Sequence, residues 1–421
     1  MTEQLTASAW PRVPIVDLCE DHVDCVNRTA PVVHEPTDYK MIRTTNVTRG
    51  FIDVENVRYV SEATYRKWTR RLVPKRGDVV LTREAPLGDV GKIRSDDRIF
   101  LGQRLYHFRP NTQQLDPDFL VYALLSPDLQ RQIRSFGSGS TVEHMRLQDI
   151  PNLEVAIPPI ALQRRIAGVL AAYDDLIENC QRRIQILETM ARALYREWFV
   201  EFRFRRHEDD ARDTTDEGSV RRAWNGHFRD LATLERDGIN PFEFPDEEFA
   251  HYSIPAFDDG RQPSIELGAT ILSGKYRVNG SAVLLSKLNP RIPRVWLPEP
   301  NGKHRAITST EFLVLRPRVG VSREFLYAKC CSEDFAGQFG SLAIGTSTSH
   351  QRVKPDGLLA LPSVVPDREA IARFTDATAP MLKFGETLRT EIANLRATRD
   401  LLLPRLLSGQ LALAETEAAV P

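Results

Sequence analysis

The chain has 421 residues, 42% of them hydrophobic and 27% charged, which allows two or three domains with cores of their own and excludes a wholly disordered polypeptide. No run reaches the ~20 apolar residues of a membrane span, and residues 1–14 show no basic stretch followed by an apolar one, so neither a membrane nor an exported setting is expected. The net charge of −1 hides an uneven distribution: residues 40–109 carry 16 Lys/Arg against 8 Asp/Glu, and residues 268–355 carry 13 against 5. Two basic regions on a near-neutral chain suit two phosphate-facing surfaces; the competing reading is ordinary solvated surface.

In chain order, residues 1–155 read as a first globule of mixed α/β character. Strand-like runs such as Val79-Val80-Leu81-Thr82 and Leu105-Tyr106-His107-Phe108 end at turn residues, and a short helix follows Pro117. Residues 156–204 read as a long helix. Ile166, Leu170, Tyr173, Ile177, Cys180, Ile184, Leu187, Ala191, Leu194 and Trp198 alternate four and three apart, which is a heptad seam. Residues 205–222 are polar and charged and read as a linker. Residues 223–365 read as a second α/β globule, with Glu311-Phe312-Leu313-Val314-Leu315 as a strand. Residues 366–413 read as a second long helix whose seam includes Leu388, Ile392, Leu395, Arg399 and Leu402. In that helix Pro380 is expected to kink or offset the axis and Pro404 to weaken the end. Residues 414–421 read as a flexible tail.

The two halves repeat one another at an offset of about 206 residues. Gly139, His144 and Arg146 coincide with Gly345, His350 and Arg352, and each half continues into a Pro-bounded strand and a long helix. A period this long is a duplicated domain pair, not a solenoid. Two matched heptad helices on one chain are expected to zip antiparallel about a pseudo-twofold axis. The alternative is that each packs on its own globule.

Catalytic patterns are missing. There is no GxxxxGK[ST] loop, no HExxH, and no Asn-Pro-Pro-aromatic tetrad, although Asn289-Pro290-Arg291 resembles part of one. Cys19, Cys25, Cys180, Cys330 and Cys331 are odd in number and scattered, so neither a disulfide framework nor a zinc site is expected, and a reduced cytoplasm is the simplest setting. The repeated His144 and His350 read either as structural histidines or as contacts to phosphate or base.

Several stretches, taken in order, resemble the specificity (S) subunit of type I restriction–modification enzymes. They are Ile42-Arg43-Thr44-Thr45-Asn46-Val47, Pro74-Lys75-Arg76-Gly77-Asp78 through Arg83-Glu84, Leu101-Gly102-Gln103-Arg104-Leu105, Gly137-Ser138-Gly139-Ser140-Thr141-Val142, and Ile157-Pro158-Pro159 through Trp198-Phe199. In the second half, His251 to Asp258, Leu284 to Ile292 and Leu403-Pro404-Arg405-Leu406-Leu407-Ser408-Gly409 do the same. The second half lacks the Gly-Gln-Arg triplet and has Ile307-Thr308-Ser309-Thr310-Glu311 near that place.

The resemblance implies a non-catalytic DNA adaptor with no cofactor of its own. Each globule would be a target-recognition domain for half of a split sequence on double-stranded DNA, and the helices would fix the gap. Two methyltransferase (M) subunits carrying S-adenosylmethionine would dock, with restriction/translocase (R) subunits using ATP and Mg. The setting would be the cytoplasm, on DNA. Half-sites on one face of a duplex lie ~34 Å apart, within reach of a helix of ~34 residues and ~50 Å. Expected DNA-facing residues are Arg43, Asn46, Lys75, Arg76, Arg83, Gln103, Arg104, Ser140, Thr141 and His144 in the first half. In the second they are Lys287, Asn289, Arg291, Arg294, Ser347, His350 and Arg352. Arg suits guanine or phosphate, and Asn or Gln suits adenine. The rival to this reading is a coiled-coil scaffold with incidental basic surfaces.

Overall fold

The computed structural model describes residues 10–138, 143–203, 224–344 and 351–411. The expected linker and tail therefore lie outside the described residues. The chain divides into two compact units, residues 1–176 with 395–421, and residues 177–394. A first long helix, Ile160–Tyr195, and a second, Arg368–Leu407, each contribute to both units.

In the first unit a four-stranded antiparallel sheet runs in the order Cys19–Asp24, Leu105–Pro110, Val79–Arg83, Leu87–Lys92. Val79 to Thr82 are fully buried, because the strand is covered on both faces. Its period-2 alternation sends Val79 and Leu81 into one core with Phe119 and Leu120, and Val80 into another with Ile42 and Ile99. A smaller sheet holds Arg58–Tyr59, Tyr39–Ile42 and Arg98–Leu101, the last two parallel with Ile42 opposite Leu101. Asp78 and His107 are 1% exposed. The Asp78 carboxylate takes His107 Nε2 at 2.6 Å and both Nε and Nη2 of Arg109 at 2.9 and 2.7 Å.

The second unit repeats this plan. Its four-stranded sheet has the same order: Ala232–Glu235, Phe312–Pro317, Val283–Ser286, Val295–Trp296. Its second sheet is larger, with five strands, and again contains a parallel pair, Glu248–Tyr252 beside Arg305–Thr308. The helices that follow start at matching places. Asp116 and Ser126 cap Pro117–Leu125 and Pro127–Ser135. Ser322 and Ser332, each 206 positions later, cap Arg323–Cys330 and Glu333–Ser341. The fold is a mixed α/β duplication, as expected.

The long helices differ in detail from expectation. The first ends at Tyr195 and continues into one wider π-helical turn, Arg196–Val200, where a helix to 204 was expected. The second runs unbroken across Pro380 and Pro404. Pro380 and Asp376, whose carbonyl it deprives of a donor, are both exposed, on the side of the helix where a lost bond costs least. Of the seam residues, Ile166, Leu170, Ile177, Ile184, Leu388 and Ile392 are buried. Tyr173, Leu187, Leu194, Trp198, Leu395 and Leu402 are half-buried, and Leu403 and Leu406 fill the buried places beside Leu402.

Within each unit the helical segments run antiparallel. In the second unit Arg183 lies over the Phe384 ring and Tyr195 meets Phe374. In the first unit Asp174 meets Arg399, while Ile166 and Leu170 share a core with Leu403 and Leu406. Each unit also sets a carboxylate into its seam. Asp174, 6% exposed, accepts from Tyr122 Oη at 2.7 Å and from Arg399. Burial, then the Asp174 charge, pushes the Tyr122 hydroxyl well above the usual phenol range. Glu188 accepts from Arg261 at 2.6 Å and from Arg389. Buried polar groups in an apolar seam penalise other registers, because a slip would leave a charge unpaired.

Candidate nucleic-acid interface

In the first unit the parallel strands end at Ile42 and Leu101, and the chain turns there into Arg43 and into Gly102-Gln103-Arg104. Gly102 N donates to Ile42 O at 2.8 Å, and a Cβ on Gly102 would sit 2.8 Å from that same oxygen, so this place admits only glycine. Arg104 has a left-handed backbone, φ 71°, and its carbonyl accepts from Arg83 N at 2.8 Å. Its side chain, 51% exposed, pairs with Glu84 at 3.2 Å. Glu84 is bridged through its backbone to His144, and Arg83 Nη1 donates to Met145 O at 3.0 Å. Arg43, Arg83, Gln103, Arg104 and His144 are thus gathered where two parallel strands deliver their C-terminal ends, a common position for binding sites in α/β sheets.

Lys75 and Arg76 do not join them. They precede the strand Val79–Arg83, at its other end. Arg76 there lines a cleft of about 400 Å³ with Lys92, Arg94 and the helix residues Ala171 and Asp175. Asn46 also departs from expectation as a base reader. It is 4% exposed, its Oδ1 accepts from Arg43 N, and its Nδ2 donates to Asn56 O, both at 2.9 Å. Both polar groups are consumed inside the fold.

The second unit builds the same place from different side chains. Its parallel strands end at Tyr252 and Thr308, and the turn Ser309-Thr310-Glu311 follows. Lys287 N donates to Glu311 O at 2.9 Å, matching the Arg83–Arg104 bond. Leu288 is bridged to Arg352, matching Glu84 and His144. Arg352 donates from Nε and Nη2 to the Glu311 carboxylate at 3.0 and 3.1 Å, which holds its guanidinium yet more firmly protonated.

The backbone therefore corrects the repeat alignment. Gly137 pairs with Met145, and Ala343 with Val353. The partner of His144 is Arg352, not His350, because the hairpin in the second half is two residues longer. Ser140, Thr141, Ser347 and His350 lie outside the described residues.

Asn289 has φ 50°, and its N–H donates to Gln351 O at 2.8 Å. Arg291 is exposed beside it. Arg294 is a further correction. It donates twice to Asp258, at 2.7 and 2.8 Å, from a side chain only 12% exposed, so its charge braces the unit and is not free for phosphate. Three atoms at these places are buried without a protein partner: Nε of Arg43, Nε of Arg83 and Oδ1 of Asn289. The acids Glu84 and Glu311 are what sequence reasoning missed. The signal was there, since each stands beside a strand end in the stretches that resemble the family or diverge from it.

The model for the type I restriction modification DNA specificity domain matches residues 10–189. A type I restriction enzyme specificity subunit of Methanocaldococcus jannaschii, MjaIX, is 21% identical over 85% of this chain and 83% of its own length. The EcoBI specificity subunit of Escherichia coli is 26% identical over 33% of this chain and 30% of its own. Among solved structures, the S subunit of a type I restriction-modification system from M. genitalium shares the fold. Its TM-score is 0.55 at 14% identity, over 96% of this chain and 97% of that one. The matched domain over residues 10–189, the chain-long relative and the shared fold together make this chain similar to type I restriction–modification specificity subunits.

Proposed function

We propose that this chain supplies the address of a type I complex and leaves the chemistry to its partners. Each unit reads one half of a split DNA sequence, and the long helices fix the gap. Two methyltransferase subunits bring S-adenosylmethionine and methylate adenine, and restriction/translocase subunits bring ATP and Mg. The observation that carries the reading is the doubled turn at the ends of the parallel strands. One backbone arrangement presents Arg104, Glu84 and His144 in the first unit and Glu311, Leu288 and Arg352 in the second. A reader of two different half-sites needs this combination of constant frame and changed polar side chains. Among the described residues there is no group of His, Cys, Asp and Glu that could hold a metal ion, and no helix is long and apolar enough to cross a membrane.

The test is reconstitution. Combined with a cognate methyltransferase subunit, the chain should direct adenine methylation to one bipartite sequence, mapped across genomic DNA. Methylation of the same sequence without this chain would overturn the proposal, as would none with it. The spacer role has its own test. Removing one heptad, residues 177–183, shortens the helix by about 10 Å, and the mapped gap should change or assembly should fail. An unchanged motif from that variant would overturn the spacer role alone.

A further inference from the structure

We propose that the ion pairs Arg104–Glu84 and Arg352–Glu311 are specificity elements, each reading one G·C base pair in the major groove. The inference rests on the function proposed above and names the chemistry read at the turn.

The edge of a G·C pair offers N7 and O6 of guanine as adjacent acceptors and the N4 amino group of cytosine as a donor. A guanidinium next to a carboxylate is the complement of that edge. Arginine donates to the guanine, and the acid accepts from the cytosine. Opposite adenine one guanidinium N–H would face the N6 amino donor, and the acid would face thymine O4, an acceptor that repels it. Both pairs have the required form. Arg104 and Glu84 lie 3.2 Å apart with the arginine 51% exposed, and Arg352 and Glu311 lie 3.0 Å apart with the arginine 50% exposed.

A role as a brace explains less. Exposed pairs contribute little to stability, and backbone bonds already join these segments, Arg83 N to Arg104 O in the first unit, and in the second Lys287 N to Glu311 O with Val353 N to Lys287 O, which tie the Glu311 and Arg352 segments to one strand end. The frame does not need these charges, and it carries them in different order. The turn position holds arginine in the first unit and glutamate in the second. A non-specific phosphate contact also fits poorly, because an acid within 3.2 Å repels the phosphate that its arginine would take.

Methylation mapping with the complete complex, wild type against Arg352→Gln, Glu311→Gln, Arg104→Gln and Glu84→Gln, tests this. The wild-type motif should hold a G·C pair in each half-site. Arg352→Gln should lower methylation of the cognate motif about 10- to 100-fold and admit A·T at one G·C position of one half-site only. Arg104→Gln should do the same in the other half-site. Glu311→Gln and Glu84→Gln, which keep side-chain shape, should relax the same positions less. A uniform loss across all sequences, with the salt slope falling by about one, would make the pairs phosphate contacts and overturn the inference. So would an unchanged motif, or a wild-type half-site without a G·C pair. Failure of the wild-type complex to methylate any bipartite motif would instead sink the function proposed above.

Discussion

Replacing Asp174 with alanine should destabilise the first unit by about 3 kcal/mol, the cost of breaking a buried ion pair from one side. The carboxylate is 6% exposed and receives both Arg399 and the Tyr122 hydroxyl. Its removal leaves a guanidinium and a phenol facing apolar seam residues, with Asp400 at 2.8 Å only a partial substitute for Arg399. Hydrogen exchange along Ile166 to Asp174 and along Leu402 to Leu406 should accelerate together. Replacing both partners, as Asp174→Leu with Arg399→Leu, should recover most of the loss, because no charge is then stranded. An alanine variant as stable as the wild type would show that the pair does not hold the seam.

Asp78→Ala should cost about 3–5 kcal/mol, and the conservative Asp78→Asn should reveal why through its pH dependence. Burial alone would raise the Asp78 carboxyl above its ordinary value. Hydrogen bonds from His107 and Arg109 outweigh it and hold the group below the usual carboxylate range. A carboxyl depressed in the folded state stabilises fully above its unfolded value near ~4 and loses that contribution as pH falls through the folded value. Wild-type stability should therefore drop steeply below about pH 4, and Asp78→Asn should be weaker at neutral pH and flatter in acid. Urea unfolding at a series of pH values, followed by exchange in the strands Val79–Arg83 and Leu105–Pro110, measures both. Parallel pH profiles for the two proteins would contradict the assignment.

Much of this architecture is legible from residue pattern alone, and the reasons are local. The runs at Val79-Val80-Leu81 and Phe312-Leu313-Val314-Leu315 identify strands because their neighbours are turn residues. The heptads identify helices because Ile166, Leu170, Ile177 and Ile184 share a face whatever covers it. The interface is legible only as a neighbourhood. Arg43, Arg83, Gln103 and Arg104 do meet. Arg294, though, is spent on Asp258, 36 positions away, and no one-dimensional pattern reveals a partner at that distance. The match of His144 with His350 illustrates the same blindness. Two added residues in a hairpin shift every position after them, and only the pairing of Ala343 with Val353 shows where they went. The seam carboxylates stayed hidden because an Asp beside Tyr173 reads as solvent-facing until Tyr122 and Arg399 are brought to it.

The first unit is completed by residues made long after its globule. Ile166 and Leu170 share their core with Leu403 and Leu406, so a nascent chain that has just finished its first long helix carries an uncovered apolar strip. That strip must wait through the synthesis of more than two hundred further residues. The second unit, residues 177–394, is contiguous and can close as soon as it emerges. Maturation thus runs against the order of translation, and the long interval with an open strip is when this polypeptide most needs a chaperone.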